Sequence, residues 1–329
     1  MDIKMKEQPK ITILGVGGAG INSIIRMRET KMPGVNFVTV GTSEKKAEGV
    51  PHIKLLDDNT NMAGCGGDPE VARSLAKKKE SQISEKLDGQ DMVIIVAGLG
   101  RGTGTGASTV IAEIAREKEL LTAGVVSLPF GFEGKRRNLT AQEGLEKLMN
   151  ITDCVVVIHN EKLLGCVEND MGVHEAFLFA DDTLRKAVQG ISDLVTIPGQ
   201  INIDFADLRT TISGSGRAII GMGESEGQNR AMEALDKAVK SPLLDMGFDG
   251  ARRVLLNMTG GDDLTLHEAN QIGTEISRAI NNTEANIIWG TAIDKQYEGK
   301  IKITVFATDF VWKDSKGNPF RKEPLTRAK

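Results

Sequence analysis

Two glycine-rich segments of this chain have the residue types and spacing of loops that bind phosphate. Gly15-Val16-Gly17-Gly18-Ala19-Gly20 fits the pattern G-x-G-x-x-G, and residues 98–106 read GLGRGTGTG, with Arg101 among the glycines. Each segment follows a short apolar run typical of a buried strand and leads into residues with helical apolar spacing. A loop of this kind presents backbone N–H groups beside a helix N-terminus, an arrangement that binds anions such as phosphate.

The presence of two such loops favours a polyphosphate site over a dinucleotide site, because a dinucleotide fold normally uses one. Thr103 and Thr105 add hydroxyl donors. An NAD site also needs an acid at the end of the second strand, but that strand ends at Val40-Gly41-Thr42-Ser43 and the nearest acid is Glu44. The sequence contains no P-loop of the form G-x-x-x-x-G-K-S/T. The first loop alone still allows two other interpretations, an NAD-dependent oxidoreductase and a tight turn with a packing role only.

The segments around the loops predict an α/β fold in which apolar strands alternate with helices. Because the strands are apolar runs, we expect a mostly parallel sheet covered on both faces, with ligands at the carboxyl ends of its strands. A long helix is predicted from about 172 to 196, and a second unit contains a helix over 266–280. Alternation over 302–306 predicts a last strand with one face in water. The predicted strands are 11–16, 35–40, 92–97, 121–128, 154–158, 254–258, 285–289 and 302–306.

The length and composition suit a protein of about two domains. Of its 329 residues, 40 % are hydrophobic, which allows a substantial core. We predict an N-terminal extension, a parallel-sheet domain, a long central helix that joins it to a smaller α+β domain, and a basic, disordered tail. These segments are 1–10, 11–171, 172–198, 199–312 and 313–329.

Charge and cysteine content narrow the classes of function. A net charge of −4 argues against nucleic-acid binding, which usually requires a basic surface. No apolar run reaches the ~20 residues that span a bilayer, and the N-terminus lacks the apolar core of a signal peptide. Cys65, Cys154 and Cys166 match no zinc spacing and indicate free thiols in a reducing compartment. We therefore expect a cytoplasmic protein with no nucleic-acid partner and no direct membrane insertion.

Several stretches, taken in order, resemble the FtsZ branch of the tubulin superfamily over roughly residues 11–310. The signature loop of that family is GGGTGTG, and residues 100–106 read GRGTGTG. The other matching stretches are the first glycine loop, FEGKRR at 132–137, NIDFADLR at 202–209 and TGGDDLTL at 259–266. The resemblance implies a tubulin/FtsZ-like fold, binding of GTP or GDP with Mg²⁺, head-to-tail filaments of the chain with itself, and a nucleotide site completed by the next subunit. It assigns no metal ligand.

The resemblance assigns the sugar and base contacts of GTP residue by residue. Glu133 and Arg137 match contacts on the ribose side, and Asn160 matches a guanine contact. Phe177 can stack on the base, and Asp181, on the same helix face, can accept hydrogen bonds from N1 and N2 of guanine. Adenine lacks that pair of donors, so the acid predicts GTP over ATP. Without the resemblance, Glu133 and Arg137 can also be an exposed ion pair, and Phe177 a core residue.

The remaining contacts implied by the resemblance lie in the phosphate loops and in the second unit. Asn202, Asp204 and Asp207 match the family's synergy loop, which reaches the γ-phosphate of the neighbouring subunit. Carboxylates there can orient or deprotonate the attacking water and help to place a cation. The spacing of the two aspartates equally allows a helix cap. The other predicted GTP contacts are Gly17, Gly18, Ala19, Gly20, Ile21, Asn22, Gly66, Gly100, Arg101, Gly102, Thr103, Gly104, Thr105 and Gly106.

The phosphate loops depart from the family pattern at several positions. Arg101 replaces a glycine, Gly41-Thr42-Ser43 stands where the family usually has Asn-Thr-Asp, and the loop over 64–70 is one residue shorter. The Arg101 guanidinium can pair with phosphate oxygens and partly replace a metal ion, point to solvent, or obstruct the loop and slow turnover. The chain also ends soon after the predicted core, so docking of the family's usual adaptors through a C-terminal peptide is not expected.

These observations predict a polymerising cytoskeletal GTPase that hydrolyses GTP between successive subunits, with a role in cell division. The alternative is a filament-forming, GTP-binding scaffold or regulator with weak hydrolysis and no direct division role.

Overall fold

The computed structural model describes residues 9–28, 32, 34–56, 64–167, 170–196, 199–241, 244, 246–310, 312–313 and 319–320. Most of the predicted N-terminal extension and most of the predicted basic tail lie outside the described residues. The disorder of the tail therefore stays a prediction, and so do the limits of the two domains.

Eleven strands form one sheet, and a separate two-stranded ribbon follows it. The strands are β1 (Ile11–Val16), β2 (Val35–Gly41), β3 (His52–Lys54), β4 (Met92–Gly98), β5 (Leu121–Leu128), β6 (Cys154–His159), β7 (Gly199–Ile201), β8 (Gly216–Glu226), β9 (Arg253–Gly260), β10 (Asn286–Ile293), β11 (Lys300–Thr308), β12 (Trp312–Lys313) and β13 (Pro319–Phe320). The order in the sheet is β3-β2-β1-β4-β5-β6-β8-β11-β9-β10-β7. From β3 to β6 all neighbours are parallel, whereas the part from β8 onward is mixed. The predicted fold class is confirmed.

Helices cover both faces of the sheet. They are α1 (Gly17–Met27), α2 (Pro69–Lys78), α3 (Glu80–Leu87), α4 (Gly102–Glu117), α5 (Lys135–Met149), α6 (Asn160–Leu163), α7 (Val173–Thr196), α8 (Phe205–Ile212), α9 (Arg230–Val239) and α10 (Leu266–Ile280). The predicted long helix corresponds to α7, and the predicted helix over 266–280 to α10. α10 begins at Leu266 because Thr265, the residue before it, forms a reciprocal capping box with Glu268.

The two units are joined by the sheet as well as by α7. Residues 154–156 of β6 pair in parallel with 216–218 of β8, so the hydrogen-bonded ladder is continuous between the units. One hydrophobic core runs across this junction, from Ile24 of α1 through Leu184 of α7 to Phe306 of β11. The long helix α7 therefore packs on the sheet of both units and holds the two units in one relative orientation.

The prediction that β11 has one face in water is wrong. Thr304 and Phe306, on the face expected to be wet, are buried. Lys302, on the same face, donates from Nζ to Oδ2 of Asp193 in α7 at 2.9 Å, and both side chains are largely buried. The alternation in the sequence arises because this face is covered by a helix that supplies a polar partner.

Candidate functional site

The two glycine loops lie side by side at the carboxyl edge of the parallel sheet. β1 and β4 are hydrogen-bonded neighbours with Val16 opposite Ala97, so α1 and α4 begin next to each other. The loops are in contact, because a Cβ atom added to the buried Gly17 would lie 3.0 Å from the backbone nitrogen of Gly104. The structure thus joins the two predicted phosphate loops into one surface.

The first turns of α1 and α4 have no side-chain cap and no acidic residue in the described part of the chain. By contrast, Asp68, Asp204 and Thr265 cap α2, α8 and α10. The first N–H groups of a helix lack intrahelical partners, and the helix dipole favours negative charge beside them. Two adjacent helix N-termini of this kind form a surface suited to the phosphates of one ligand.

Along the first turn of α1, exposure falls from the loop into the helix. Gly18 is exposed, and a Cβ atom added there would meet nothing within 4 Å. Ala19 is half-buried, and Gly20 and Ile21 are buried. A Cβ atom on Gly20 would lie 2.2 Å from the carbonyl oxygen of Val96 in β4. Gly18 therefore leaves room for a ligand, whereas Gly20 and Ile21 pack α1 against the sheet.

The loop before α4 is held by close packing and by one internal hydrogen bond. Gly100 has a φ of +100°, which favours glycine, and its N–H donates to Oγ1 of the buried Thr105 at 2.9 Å. A Cβ atom on Gly104 would lie 2.2 Å from a carbonyl oxygen of β4, and one on Gly106 would lie 2.0 Å from a carbonyl oxygen of α2. These residues fix the shape of the loop and leave Arg101 exposed on it.

Thr103 connects this loop to two others. Its Oγ1 lies 3.4 Å from Oγ1 of Thr42, which follows β2, and 3.8 Å from Sγ of Cys65, which lies before α2. Gly102 packs against the same segment, because an added Cβ atom would lie 2.7 Å from Cβ of Cys65. Gly66, the residue after Cys65, is exposed. Three loops thus meet where the resemblance predicts the terminal phosphates.

Two predicted GTP contacts, Asn22 of α1 and the base-binding Asp181 of α7, are hydrogen-bonded to each other. Nδ2 of Asn22 donates to Oδ2 of Asp181 at 2.8 Å, although the two residues are 159 positions apart. Burial raises the pKa of Asp181, and the hydrogen bond from Asn22 partly opposes this. The carboxyl group is therefore partly desolvated, and a ligand with two adjacent N–H donors can replace the lost water.

Three phenylalanines cluster at the start of α7. Phe130 is buried and packs edge-on against Phe177 with ring centroids 5.3 Å apart, and Phe132 stacks on Phe130 at 5.1 Å. Phe177 is 37 % exposed and Phe132 is 64 % exposed. Phe177 is thus not fully buried in the core and can accept a base against its ring. Sequence reasoning missed Phe130 and Phe132 as part of this surface, because only the fold brings them to Phe177.

Glu133, which lies just before α5, forms an ion pair with Arg137 in the first turn of that helix. Oε1 of Glu133 also accepts from the backbone N–H of Phe130 at 3.0 Å. The Glu133 side chain is only 5 % exposed, so the pair is not the solvated one that spacing alone allowed. Burial lowers the pKa of Arg137, Glu133 raises it, and the nearby charge of Arg101 lowers it. Arg101 therefore lies close enough to act on the sugar-side pair.

Asn160 is the first residue of α6 and directly follows β6. Its side chain is buried, and no described residue hydrogen-bonds to its Oδ1. A buried amide oxygen usually has a partner, because leaving it without one costs about 1–3 kcal/mol. A donor on a bound base would supply that partner, so this atom fits the guanine contact predicted for Asn160.

The three predicted catalytic residues lie beyond the other end of α7. Oδ1 of Asp204 accepts from the N–H of Asp207 at 2.9 Å, and Oδ2 of Asp207 accepts from the N–H of Asp204 at 3.0 Å. This capping box starts α8 and confirms the helix-cap interpretation. It uses one oxygen of each carboxylate and fixes their orientation. Asn202, just before it, is exposed.

The glycine loops and these carboxylates lie at opposite ends of α7, the longest helix among the described residues. Asp181 contacts α1 and lies in the first half of α7, which ends at Thr196. At about 1.5 Å per residue, the helix between Asp181 and Thr196 is about 22 Å long. Just past the end of α8, the N–H of Gly214 donates at 3.2 Å to Asp153, which precedes β6 at the amino edge of the sheet. A single chain therefore does not bring the carboxylates to its own phosphate loops.

Comparisons with known proteins show the family to which the chain belongs. Residues 10–168 match the Tubulin/FtsZ family, GTPase domain, and residues 216–311 match the FtsZ family, C-terminal domain. The structure is similar to an empty FtsZ dimer from M. jannaschii, with 40 % identity over 92 % of this chain and 89 % of that chain and a TM-score of 0.85. The chain belongs to the FtsZ family of the tubulin/FtsZ superfamily. This family consists of GTP-binding, polymerising cytoskeletal proteins, an assignment that replaces the NAD-dependent interpretation.

Two further structures resemble this FtsZ-family chain. A tryptophan-to-tyrosine mutant of M. jannaschii FtsZ is 39 % identical over 96 % of both chains, with a TM-score of 0.85. GDP-bound CetZ1 from Haloferax volcanii has the same fold at 18 % identity, covering 91 % of this chain and 93 % of that one, with a TM-score of 0.77. In the described part of the chain, no helix is long and apolar enough to cross a membrane. Nor do three or more His, Cys, Asp or Glu residues group there as metal ligands.

Proposed function

We propose that this FtsZ-family chain binds GTP at its two glycine loops and hydrolyses it when a second copy docks against them. One observation carries the proposal, namely the distance between the two halves of the site. The N-termini of α1 and α4 lie at one end of α7, and the carboxylates of Asp204 and Asp207 lie beyond the other. A head-to-tail contact brings the carboxylates of one copy to the phosphates of the next. Such a contact repeats without closing and builds a filament.

In this proposal, residues of α1, α5, α6 and α7 hold the sugar and base. Asp181 accepts hydrogen bonds from N1 and N2 of guanine, and Phe177 contacts the ring. The buried Oδ1 of Asn160 accepts a hydrogen bond from the base, which removes the free-energy cost of a buried oxygen without a partner. Glu133 accepts from the ribose hydroxyls while Arg137 holds it in place. The partly desolvated acid of Asp181 supports guanine over adenine, because adenine offers no matching pair of donors.

Exposed apolar side chains at both ends of the molecule support a head-to-tail contact. At the nucleotide end, Phe132 and Leu178 are exposed. At the other end, Ile201 precedes the synergy segment and is exposed, and Trp289 is exposed on the neighbouring strand β10. The two sets lie on different surfaces, as a heterologous interface requires.

The hydrolytic step needs little covalent chemistry from the protein. Asp204 and Asp207 orient and deprotonate the water that attacks the γ-phosphate of the neighbouring copy, with Asn202 beside them. The capping box holds both carboxylates in one orientation before the subunits meet, which lowers the entropic cost of positioning. Mg²⁺ bound with GTP would neutralise charge on the phosphates and take most of its ligands from them and from water.

We further propose that the filament is cytoplasmic and acts as a scaffold in cell division. A second candidate, a GTP-binding filament with weak hydrolysis and no direct division role, is favoured by the arginine in the phosphate loop. The two are separated by measuring phosphate release and light scattering in the same sample. Assembly with GTP but without matching phosphate release supports the second candidate.

A concentration series tests the shared site. We expect GTP turnover per subunit to rise steeply with protein concentration and to vanish in dilute solution, because each site needs a second copy. A turnover per subunit that is independent of concentration contradicts the proposal.

A pair of substitutions separates catalysis from capping at Asp207. Asp207→Asn keeps an oxygen that can accept from the N–H of Asp204, and so keeps the cap, but it removes the charge. We expect this variant to bind GTP and assemble normally with about 100-fold lower turnover, whereas Asp207→Ala also loses helix stability of about 1 kcal/mol. Full activity in Asp207→Asn reduces the residue to a helix cap.

A further inference from the structure

We propose that Arg101 binds the phosphates of the nucleotide and supplies part of the positive charge that a divalent cation otherwise provides. The inference rests on the proposed GTP site and concerns how that site is regulated. It predicts that loss of the Arg101 side chain weakens GDP and GTP binding more when divalent cations are removed than when they are present.

Position 101 accepts a side chain without distorting the loop. Its φ of −117° and ψ of 176° are extended and suit any residue. The neighbouring glycines do not share this freedom, because Gly100 has a positive φ and a Cβ atom on Gly102 would lie 2.7 Å from Cβ of Cys65. An arginine at 101 is therefore compatible with an intact phosphate loop, which argues against obstruction by strain.

The charge of Arg101 is not neutralised within the described part of the chain. No described carboxylate forms an ion pair with it, and its side chain makes no hydrogen bond to a described residue. Its positive charge lowers the pKa of Arg137, and Arg137 is paired with the carboxylate of Glu133. The loop packs against Arg137, because a Cβ atom added to Gly100 would lie 3.0 Å from Cγ of Arg137, so two positive charges lie near this edge of the site. A bound polyphosphate converts this repulsion into attraction.

The chemistry of the guanidinium suits the role. It stays charged at every relevant pH and can donate two parallel hydrogen bonds to phosphate oxygens. Arg101 immediately precedes the first turn of α4, whose N–H groups and dipole favour the same anion. Because no described group of acids is arranged to hold a metal ion, a cation would be bound mainly by the phosphates. Arginine and cation then compensate the same charge, so either one makes the other less necessary.

The test is equilibrium binding of fluorescent GDP and of a non-hydrolysable GTP analogue, in excess EDTA and in excess MgCl₂. Wild type is compared with Arg101→Ala, Arg101→Lys and Arg136→Ala, which removes an exposed arginine near the site that has no role in the proposal. We expect Arg101→Ala to weaken binding about 10-fold or more in EDTA and less than about 3-fold in MgCl₂. Arg101→Lys falls between, because it keeps the charge but loses the paired geometry.

Three outcomes overturn the inference. These are equal affinity of wild type and Arg101→Ala in both buffers, an equal loss in both buffers, and the same loss in Arg136→Ala. Circular dichroism of each variant shows whether the fold is intact, and Arg101→Lys supplies a folded comparison if Arg101→Ala is not. Failure of wild type to bind either nucleotide in MgCl₂ contradicts the GTP site itself, whereas binding by wild type with no effect at Arg101 contradicts only this inference.

Discussion

The selectivity of the proposed site depends on a single carboxylate. Asp181→Asn keeps an oxygen for the hydrogen bond from Asn22 but replaces an acceptor with an NH₂ group that opposes the N–H donors of guanine. We expect GTP affinity to fall about 100-fold or more, with no gain for ATP, because buried donors left unpaired are costly. Competition binding with GTP, ATP and ITP measures both effects.

The neighbouring acid provides the matched control. Asp182 is paired with Arg185 at 2.8 Å and with Lys186 at 3.1 Å, in contacts within α7. Asp182→Asn is therefore expected to leave GTP affinity within about twofold of wild type. A loss of the same size in both variants would assign the effect to the helix and not to guanine.

At the residue scale, the sequence predicts which chemical groups the site contains, but it does not predict which distant residues contact those groups. The glycine pattern predicts an anion surface because it reflects local backbone geometry. The contact of Asn22 with Asp181 crosses 159 positions and leaves no mark in local spacing. The same holds for Phe130 and Phe132 beside Phe177. Only the family resemblance, which carries the fold with it, placed the distant residues in one site.

At the element scale, the packing of α9 on α10 predicts a dependence of stability on pH. Nε of Arg230 in α9 donates to Oε1 of Glu268 in α10 at 2.7 Å, and this pairing lowers the pKa of Glu268 to about 2. Because the folded pKa lies below the ordinary value of 4.5, the pair stabilises the fold fully above that value and the benefit is lost as the pH falls through about 2. We expect Glu268→Gln to lower the free energy of unfolding at pH 7 by on the order of 2 to 3 kcal/mol. The variant should therefore unfold at a lower urea concentration than wild type.

The measurement is a series of urea unfolding curves from pH 7 down to pH 2 for both proteins. The difference between them should shrink as the pH falls from about 4.5 toward about 2, since Glu268 takes up its proton first in the unfolded chain and only near pH 2 in the folded protein. Glu275→Gln, on the same helix but paired with the exposed Arg278, serves as the control and should change stability little. A difference that does not vary with pH would exclude the ion pair as its cause.

The elements that the sequence predicts well are those whose two faces have the same surroundings. β4 and β5 are buried on both sides and read as apolar runs. β8 was missed because it contains glycines that punctuate its pattern. Gly221 and Gly223 are needed there, since added Cβ atoms would lie 2.4 Å and 2.0 Å from carbonyl oxygens of α9. The prediction for β11 was wrong for a different reason, because Lys302 pairs with Asp193 of α7 and Thr304 is buried, so neither faces water.

At the scale of the whole molecule, the separation of the two half-sites makes a prediction about mixtures. Asp181→Ala removes the nucleotide half and keeps the carboxylates, whereas Asp207→Asn removes the catalytic charge and keeps the nucleotide half. Each is expected to be nearly inactive alone. In an equal mixture, about a quarter of the contacts join an intact nucleotide half to an intact carboxylate half, if both variants enter filaments equally. GTP turnover should therefore recover toward about a quarter of the wild-type value.

The decisive comparison uses the double variant Asp181→Ala/Asp207→Asn in place of Asp181→Ala. It has the same defect in nucleotide binding but brings no intact carboxylate, so its mixture with Asp207→Asn should stay inactive. Recovery in the first mixture and not in the second requires that the nucleotide of one copy is hydrolysed by the acid of another. If both halves of each site belong to one chain, neither mixture recovers, because no chain in either mixture has both halves intact.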